Sequence, residues 1–213
     1  MHFLPESLEN YITLHSENEP DILRKLTRET HLKVVQPRMI TGHYQGRVLS
    51  ILSRIIRPGR VLEIGTYTGY SAICLAEGLP DDGLLHTIDI NEELSEIQRK
   101  YFDRSGFGNK IIQHTGDALK IIPEFNQIFD LVFIDAEKKM YDAYFEAVIK
   151  KTKPGSIILT DNVLWSGKVI DPVDKKDVVT RNLLAYNKKL KNDPRVETVL
   201  LSIRDGLTLC RVL

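Results

Sequence analysis

From residue 60 onward, apolar β-rich runs alternate with stretches of helical periodicity, and this alternation leaves the chain few architectures. The runs are RVLEI (60–64), LLHTID (84–89), KIIQH (110–114), FDLVFID (129–135) and SIILTD (156–161), followed by RVETVLLSI and LTLCRVL. Between them, Ala72, Leu75, Ala76 and Leu79 share one helical face, and Leu94, Ile97 and Tyr101 share another. Strands that take turns with helices build a parallel sheet covered on both faces, joined by right-handed crossovers. The last two runs are separated by Arg204-Asp205-Gly206, and Asp-Gly between alternating runs is a hairpin signal, so the sheet is expected to finish with an antiparallel pair. Residues 1–57 read as helical, with Thr41 as an N-cap and Val48, Leu52 and Ile55 facing inward. With no repeat and no long linker, the expectation is one domain over 1–213, carrying a helical N-terminal extension over 1–57.

Charge narrows the partners. Lys plus Arg and Asp plus Glu number 29 each, so no net field favours a polyanion, and neither nucleic acid nor an acidic membrane is expected. At 42% hydrophobic and 27% charged residues, the composition is that of a globular protein. MHFLPESLENYI lacks the basic segment and apolar run of a signal peptide, and no stretch is long enough to span a bilayer. Cys74 and Cys210 both sit in apolar company, as reduced core residues would. A cytoplasmic location is the default.

In open α/β sheets, ligands bind beyond the carboxyl ends of the strands. The first run ends in Glu63-Ile64-Gly65-Thr66-Tyr67-Thr68-Gly69-Tyr70-Ser71. Two glycines four apart let backbone pass close to a ligand, or simply serve packing. A dinucleotide loop would want glycine where Tyr67 stands, which disfavours a pyrophosphate and hence a nicotinamide oxidoreductase. The second run ends at Asp89, placed either to accept both hydroxyls of a ribose or to cap the next helix. The third leads into Gly116-Asp117-Ala118, able to flank an adenine or to cap. Together these ends suit an adenosine without phosphates. A non-catalytic adenosine-binding module would be satisfied by them alone.

The fifth run stops at Asp161-Asn162, with Trp165 close behind. A turn explains an Asp-Asn pair, and so does a ligand that needs a carboxylate and an amide.

VLEIGTYTGYS, TIDIN, GDA, FIDAEKKMY, TDNVLW and DGLTL, in that order, resemble the cation-dependent S-adenosylmethionine O-methyltransferases of the caffeoyl-CoA and catechol type over roughly residues 37–213. The resemblance implies a Rossmann-like class I methyltransferase fold: a seven-stranded, mostly parallel sheet with one antiparallel strand and helices on both faces. It implies that Glu63, Gly65, Thr66, Ser71, Asp89 and Ala118 surround the methyl donor. Thr41, Asp117 and Asp135 join them, and residues 1–57 contribute to a cap over the site. It implies a divalent cation on Asp135, Asp161 and Asn162, whose hard oxygens suit Mg²⁺, Mn²⁺ or Ca²⁺ rather than Zn²⁺ or copper. Neighbouring strands lie roughly 4.8 Å apart, so their ends can share one ion.

Lys138 matches the family's base, and a lysine beside a cation and a sulfonium is disfavoured in its charged form, which suits it to accept a proton. The implied acceptor is a small aromatic bearing two vicinal hydroxyls, and the implied assembly is a homodimer. Trp165 and Tyr141 are either walls of the acceptor pocket or packing, and Met39 is either near both ligands or core. Thr208 and Glu137 stand where the catechol branch has a Glu and an aromatic, so the acceptor pocket is expected to differ from that branch. The histidines, His43 and His114 among them, show no metal-ligand spacing.

Overall fold

The computed structural model describes residues 5–213; residues 1–4 of the expected helical extension lie outside the described residues. Seven strands form one sheet: β1 (Arg60–Ile64), β2 (Leu84–Asp89), β3 (Ile111–Thr115), β4 (Leu131–Ile134), β5 (Ile157–Asp161), β6 (Val196–Leu201) and β7 (Leu207–Val212). Their order is β3-β2-β1-β4-β5-β7-β6. The first five are parallel, and β7 runs antiparallel to both β5 and β6. The order reverses between β1 and β4, and a crevice opens there at the carboxyl ends of an α/β sheet.

Side-chain alternation splits the core in two. In β4, Leu131 and Phe133 join one apolar cluster while Val132 and Ile134 join the other. The first cluster is completed by α2 (Asp21–Lys33), α3 (His43–Ile56), α4 (Tyr70–Ala76) and α5 (Ser95–Arg104). The second is completed by α6 (Ala118–Ile121), α7 (Tyr141–Ile149) and α8 (Val178–Asn192). A further helix, α1 (Glu6–Leu14), buries none of its residues. Phe133 and Phe145 are fully buried on opposite faces, and truncating either to alanine would cost about 3–5 kcal/mol. Cys74 and Cys210 are free, buried thiols, and burial pushes Cys74 up to about 12. No helix among the described residues is long and apolar enough to cross a membrane.

The N-terminal helices depart from the sequence expectation in two respects. Gly42, not Thr41, occupies the N-cap of α3, and no side chain caps that helix. Its buried stripe is also out of phase with the expected one: Leu49 and Ser53 are fully buried, whereas Ile55 is 74% exposed and Val48 and Leu52 are only partly covered. The cause is close packing on α4. A Cβ at Gly46 would come within 2.5 Å of the Tyr70 ring, and the Ser53 hydroxyl donates to the Leu75 carbonyl at 2.6 Å. Small and polar residues therefore face inward, where a count of apolar positions finds nothing. The same contact buries an ion pair, Arg47 on Glu77 at 2.9 Å, with both side chains under a tenth exposed.

The closing hairpin is present, but β6 ends at Leu201, two residues before the expected boundary, and residues 202–206 form a longer loop. On the opposite edge, His86 of β2 and His114 of β3 stack with Nδ1 and Nε2 at 2.9 Å, and Gln127 reaches the other nitrogen of His86 at 2.9 Å. Phe125 and Phe129 stand edge-on to His86. Burial, then the neighbouring His114 charge, pushes His86 down to about 4. His43, by contrast, is only partly buried and bonds to the Glu17 carbonyl.

Candidate active site

An open cleft of about 1790 Å³ runs along the carboxyl ends of β1 to β5. That exceeds the roughly 300–1,000 Å³ of a pocket for one small ligand, so two reactants fit side by side.

One half of the cleft is built from the ends of β1, β2 and β3. Gly65 adopts φ +99°, and a Cβ there would lie 1.8 Å from the Asp135 carbonyl oxygen. Its permissiveness is therefore spent on pressing β1 against β4. Gly69 answers to a different neighbour, because it starts α4 and a Cβ would strike the Phe102 ring at 2.5 Å. Between them, the Tyr67 amide donates to Asp89 Oδ2 at 2.7 Å, its carbonyl accepts from Gln98 at 2.7 Å, and its hydroxyl donates to the carbonyls of Val35 and Gln36. Tyr67 thus ties the segment after α2 to the glycine loop.

Asp89 Oδ1 accepts from the Asn91 amide at 2.9 Å, so Asp89 organises the loops as well as lining the cleft. Asp117 likewise does both, capping α6 through the Leu119 amide at 2.9 Å while facing the cleft beside Ala118. Thr41 reaches the cleft from the segment before α3.

Glu63, Thr66 and Ser71 are buried beneath the loop and stand off the cleft wall. The Thr87 hydroxyl donates to Glu63 Oε2 at 2.6 Å and meets the Thr66 hydroxyl at 2.5 Å. Glu63 Oε1 has no hydrogen-bond partner; the Ser71 hydroxyl is near enough to favour its charged form without reaching bonding geometry. Burial pushes the Glu63 carboxyl up to about 8, against the pull of Ser71 and Thr87.

The other half lies at the ends of β4 and β5. Ile134 and Thr160 are opposite each other in the register, which brings Asp135 and Asp161 side by side. The Asp135 carboxylate accepts from Lys138 Nζ at 3.2 Å, and the Lys138 ammonium stands 5.8 Å from the centre of the Tyr141 ring. Asp161 is 3% exposed, and its Oδ1 has no hydrogen-bond partner. Burial, then repulsion from Asp135, pushes it up to about 7; the Gln45 amide beside it, the Asn162 amide and Arg204 pull the other way. Asn162, Trp165 and Ser166 all have positive φ, a conformation that costs about 1 kcal/mol or more each and persists only where the surroundings impose it.

The surroundings do impose it. The Leu164 amide donates to the Asp205 carbonyl at 2.9 Å, the Ser166 amide donates to the Asp205 carboxylate, and Gly206 packs so tightly on Leu164 that a Cβ would come within 2.5 Å. Trp165 and Met39 line the cleft. Tyr141 does not: it is 1% exposed and donates to the Asp161 carbonyl at 2.9 Å, so it positions the strand end. Thr208 is buried off the cleft, and Glu137 caps the turn over Lys138–Met140.

No group of three or more His, Cys, Asp or Glu suited to a metal occurs among the described residues. The candidate set is two carboxylates and an amide. It fits a hard divalent cation, because an orphaned, buried carboxylate oxygen beside a second carboxylate is the arrangement such an ion relieves.

The O-methyltransferase family model matches residues 13–213. The chain belongs to that family. It is 37% identical to the caffeoyl-CoA O-methyltransferase of Petroselinum crispum over 207 residues, covering 91% of this chain and 84% of that protein. Among solved structures, the O-methyltransferase TomG of Streptomyces achromogenes, in complex with SAM, superposes with a TM-score of 0.89 at 32% identity, covering 97% of this chain and 96% of that one. The O-methyltransferase of Bacillus cereus in complex with SAH also reaches 0.89, at 28% identity and 97% of each chain.

Within this methyltransferase the structure gathers Thr41, Gly65, Asp89, Asp117, Ala118, Asp135, Lys138, Asp161 and Asn162 on one cleft. Gln45, Tyr67, Arg204 and Asp205 are involved too, though the sequence pattern did not single them out for the site. The one sequence signal for the last two was the Asp-Gly step, which reads as a turn.

Proposed function

We propose that the enzyme moves the methyl group of S-adenosylmethionine to a hydroxyl of an aromatic acceptor with two vicinal hydroxyls, assisted by a divalent cation on Asp135, Asp161 and Asn162. The observation that carries this reading is the unpartnered, buried Asp161 Oδ1 beside Asp135, in the same cleft as Asp89 and Asp117. An adenosine-binding module has no use for that pair. When bound, the cation supplies Lewis acidity, stabilising negative charge on the acceptor oxygen.

The remaining steps fall to the chain. Asp89 holds the donor's ribose, and Asp117 and Ala118 flank its base. Lys138 Nζ, acting as the neutral amine, takes the hydroxyl proton and becomes the ammonium that pairs with Asp135, the freed electron pair forms the new C–O bond, and the C–S pair stays on sulfur, so a sulfonium becomes a neutral thioether. The segment from Val35 to Thr41, which lines the cleft, closes it from the N-terminal side. Holding both reactants in line contributes much of the rate.

The test is methyl transfer from S-adenosylmethionine to a panel of catechols, with and without a chelator. Transfer that stops with chelator and returns with Mg²⁺ is expected; transfer indifferent to chelator would remove the cation from the mechanism. Absence of transfer to every catechol would remove the acceptor class.

A further inference from the structure

We propose that Arg204 selects acceptors that carry a carboxylate on the ring or on a short side chain, with Arg38 as a second cation at the same mouth; this rests on the catechol reading above. Arg204 follows β6 with φ +47°, a conformation a non-glycine residue holds only when its surroundings fix it. They do so here through the Gly206 amide on the Ile203 carbonyl and the Asp205 carbonyl under the Leu164 amide, both at 2.9 Å. The backbone that carries the guanidinium is therefore fixed beside the cleft.

What it is placed against is weak. Its Nη1 donates to the Ile40 carbonyl and to Gln45 Oε1, each at 3.4 Å, the long end of the hydrogen-bond range. Among the described residues no carboxylate forms an ion pair with Arg204, and its neighbour Asp205 is occupied by the Ser166 amide. Arg38, exposed in the turn Pro37–Met39, likewise has no ion-pair partner among the described residues. Both line the cleft. Lys138, the other cation near the carboxylate pair, is already committed to Asp135.

Position decides what such a guanidinium would meet. Gln45 lies between Arg204 and the Asp161 carboxyl, so Arg204 is one side chain from the end that takes the two hydroxyls. A ring held there by its hydroxyls would turn its substituent into the remainder of the cleft, whose walls include Trp165, Met39, Arg38 and Arg204. A planar guanidinium pairs with a carboxylate through two parallel bonds. The phosphates of a coenzyme A thioester would lie a whole pantetheine arm further out, beyond a group this close to the hydroxyl end. A free carboxylic acid is the occupant whose charge arrives where Arg204 stands.

Titration calorimetry of the full chain, with S-adenosylhomocysteine and Mg²⁺ present, would compare 3,4-dihydroxycinnamate with its methyl ester and its coenzyme A thioester. Because Arg204 is exposed and partly screened, the acid should bind about tenfold tighter than the ester, the low end for a charge-assisted pair. That ratio should shrink as salt is raised. Arg204→Gln should bring the acid-to-ester ratio toward one, and Arg204→Lys should keep part of it.

If the guanidinium only ties the 202–206 loop to the segment before α3, Arg204→Gln weakens both ligands alike and leaves the ratio in place, which overturns the proposal. Equal affinities in the parent protein, or a preference for the thioester, overturn it as well. Should Arg204→Gln not fold, the salt dependence of the parent's ratio decides. Methylation of the ester without any preference for the acid defeats this inference and spares the catechol reading, whereas no binding or methylation of any of the three defeats both.

Discussion

Lowering the pH from 7 to 5 should destabilise the protein by about 2 kcal/mol through His86 alone. The ring moves from an ordinary 6.5 to about 4 in the folded chain. As pH falls below 6.5, the unfolded chain binds a proton that the folded chain refuses, so stability that is complete above 6.5 is lost on the way down to about 4. Each pH unit in that window costs about 1.4 kcal/mol, and the one and a half units from 6.5 to 5 give the figure above. His114, also pushed down by burial, adds in the same direction.

The assay is urea unfolding of the parent and of His86→Gln at pH 7 and pH 5. The variant should start less stable, having lost its packing against Phe125 and Phe129, but should fall much less over the same interval. Equal losses in the two proteins would refute the reasoning, because they would show that the folded chain accepts the proton on His86 as readily as the unfolded one.

Four further outcomes test the site. Asp89→Ala should weaken donor binding by about 1.5–3 kcal/mol per charged hydrogen bond lost and also lower the melting temperature, since the Tyr67 and Asn91 amides lose their acceptor; calorimetry showing parental affinity in a folded variant would take Asp89 out of the donor site. Lys138→Ala should reduce turnover about 10²–10⁴-fold, with partial recovery at higher pH as the phenol ionises unaided; parental turnover at neutral pH would deny Lys138 its role. Gly65→Ala should cost about 3 kcal/mol or more, because its Cβ has no room beside the Asp135 carbonyl; thermal unfolding at the parental temperature would contradict that contact. The chain should form a homodimer, and light scattering that gives a monomer mass at micromolar protein would reject it.

Strand positions were readable because strands buried on both faces are mostly apolar, and β1 and β2 match their runs residue for residue even though Glu63, His86 and Thr87 are buried within them. The acids at the strand ends were readable for the complementary reason: Asp89, Asp135 and Asp161 interrupt apolar runs at the points where the sheet meets solvent. The phase of α3 was not, because its closest packing uses Gly46, Ser50 and Ser53, whose small size matters more than their polarity. Nor could sequence say whether Asp89 and Asp117 face the cleft or bond to nearby backbone, since a carboxylate has enough lone pairs to do both, and each does. Arg204 was invisible for another reason: its place beside the cleft depends on a loop that approaches Asn162 from more than forty residues away in the chain.

That loop also sets the order in which the enzyme can be completed during synthesis. Residues 60–135 contain the three strands that end at the donor half of the cleft together with β4, and these strands can pair as soon as they are made. The Asn162–Ser166 turn has no such independence: it leans on Asp205 and Gly206, and β5 takes its second neighbour from residues 207–212. A nascent chain halted near residue 200 would therefore carry a formed donor side beside an unformed cation side, with the edge of β5 bare. β6 has no strand neighbour other than β7, so the cation side is complete only once residues 207–212 have taken their place beside β5.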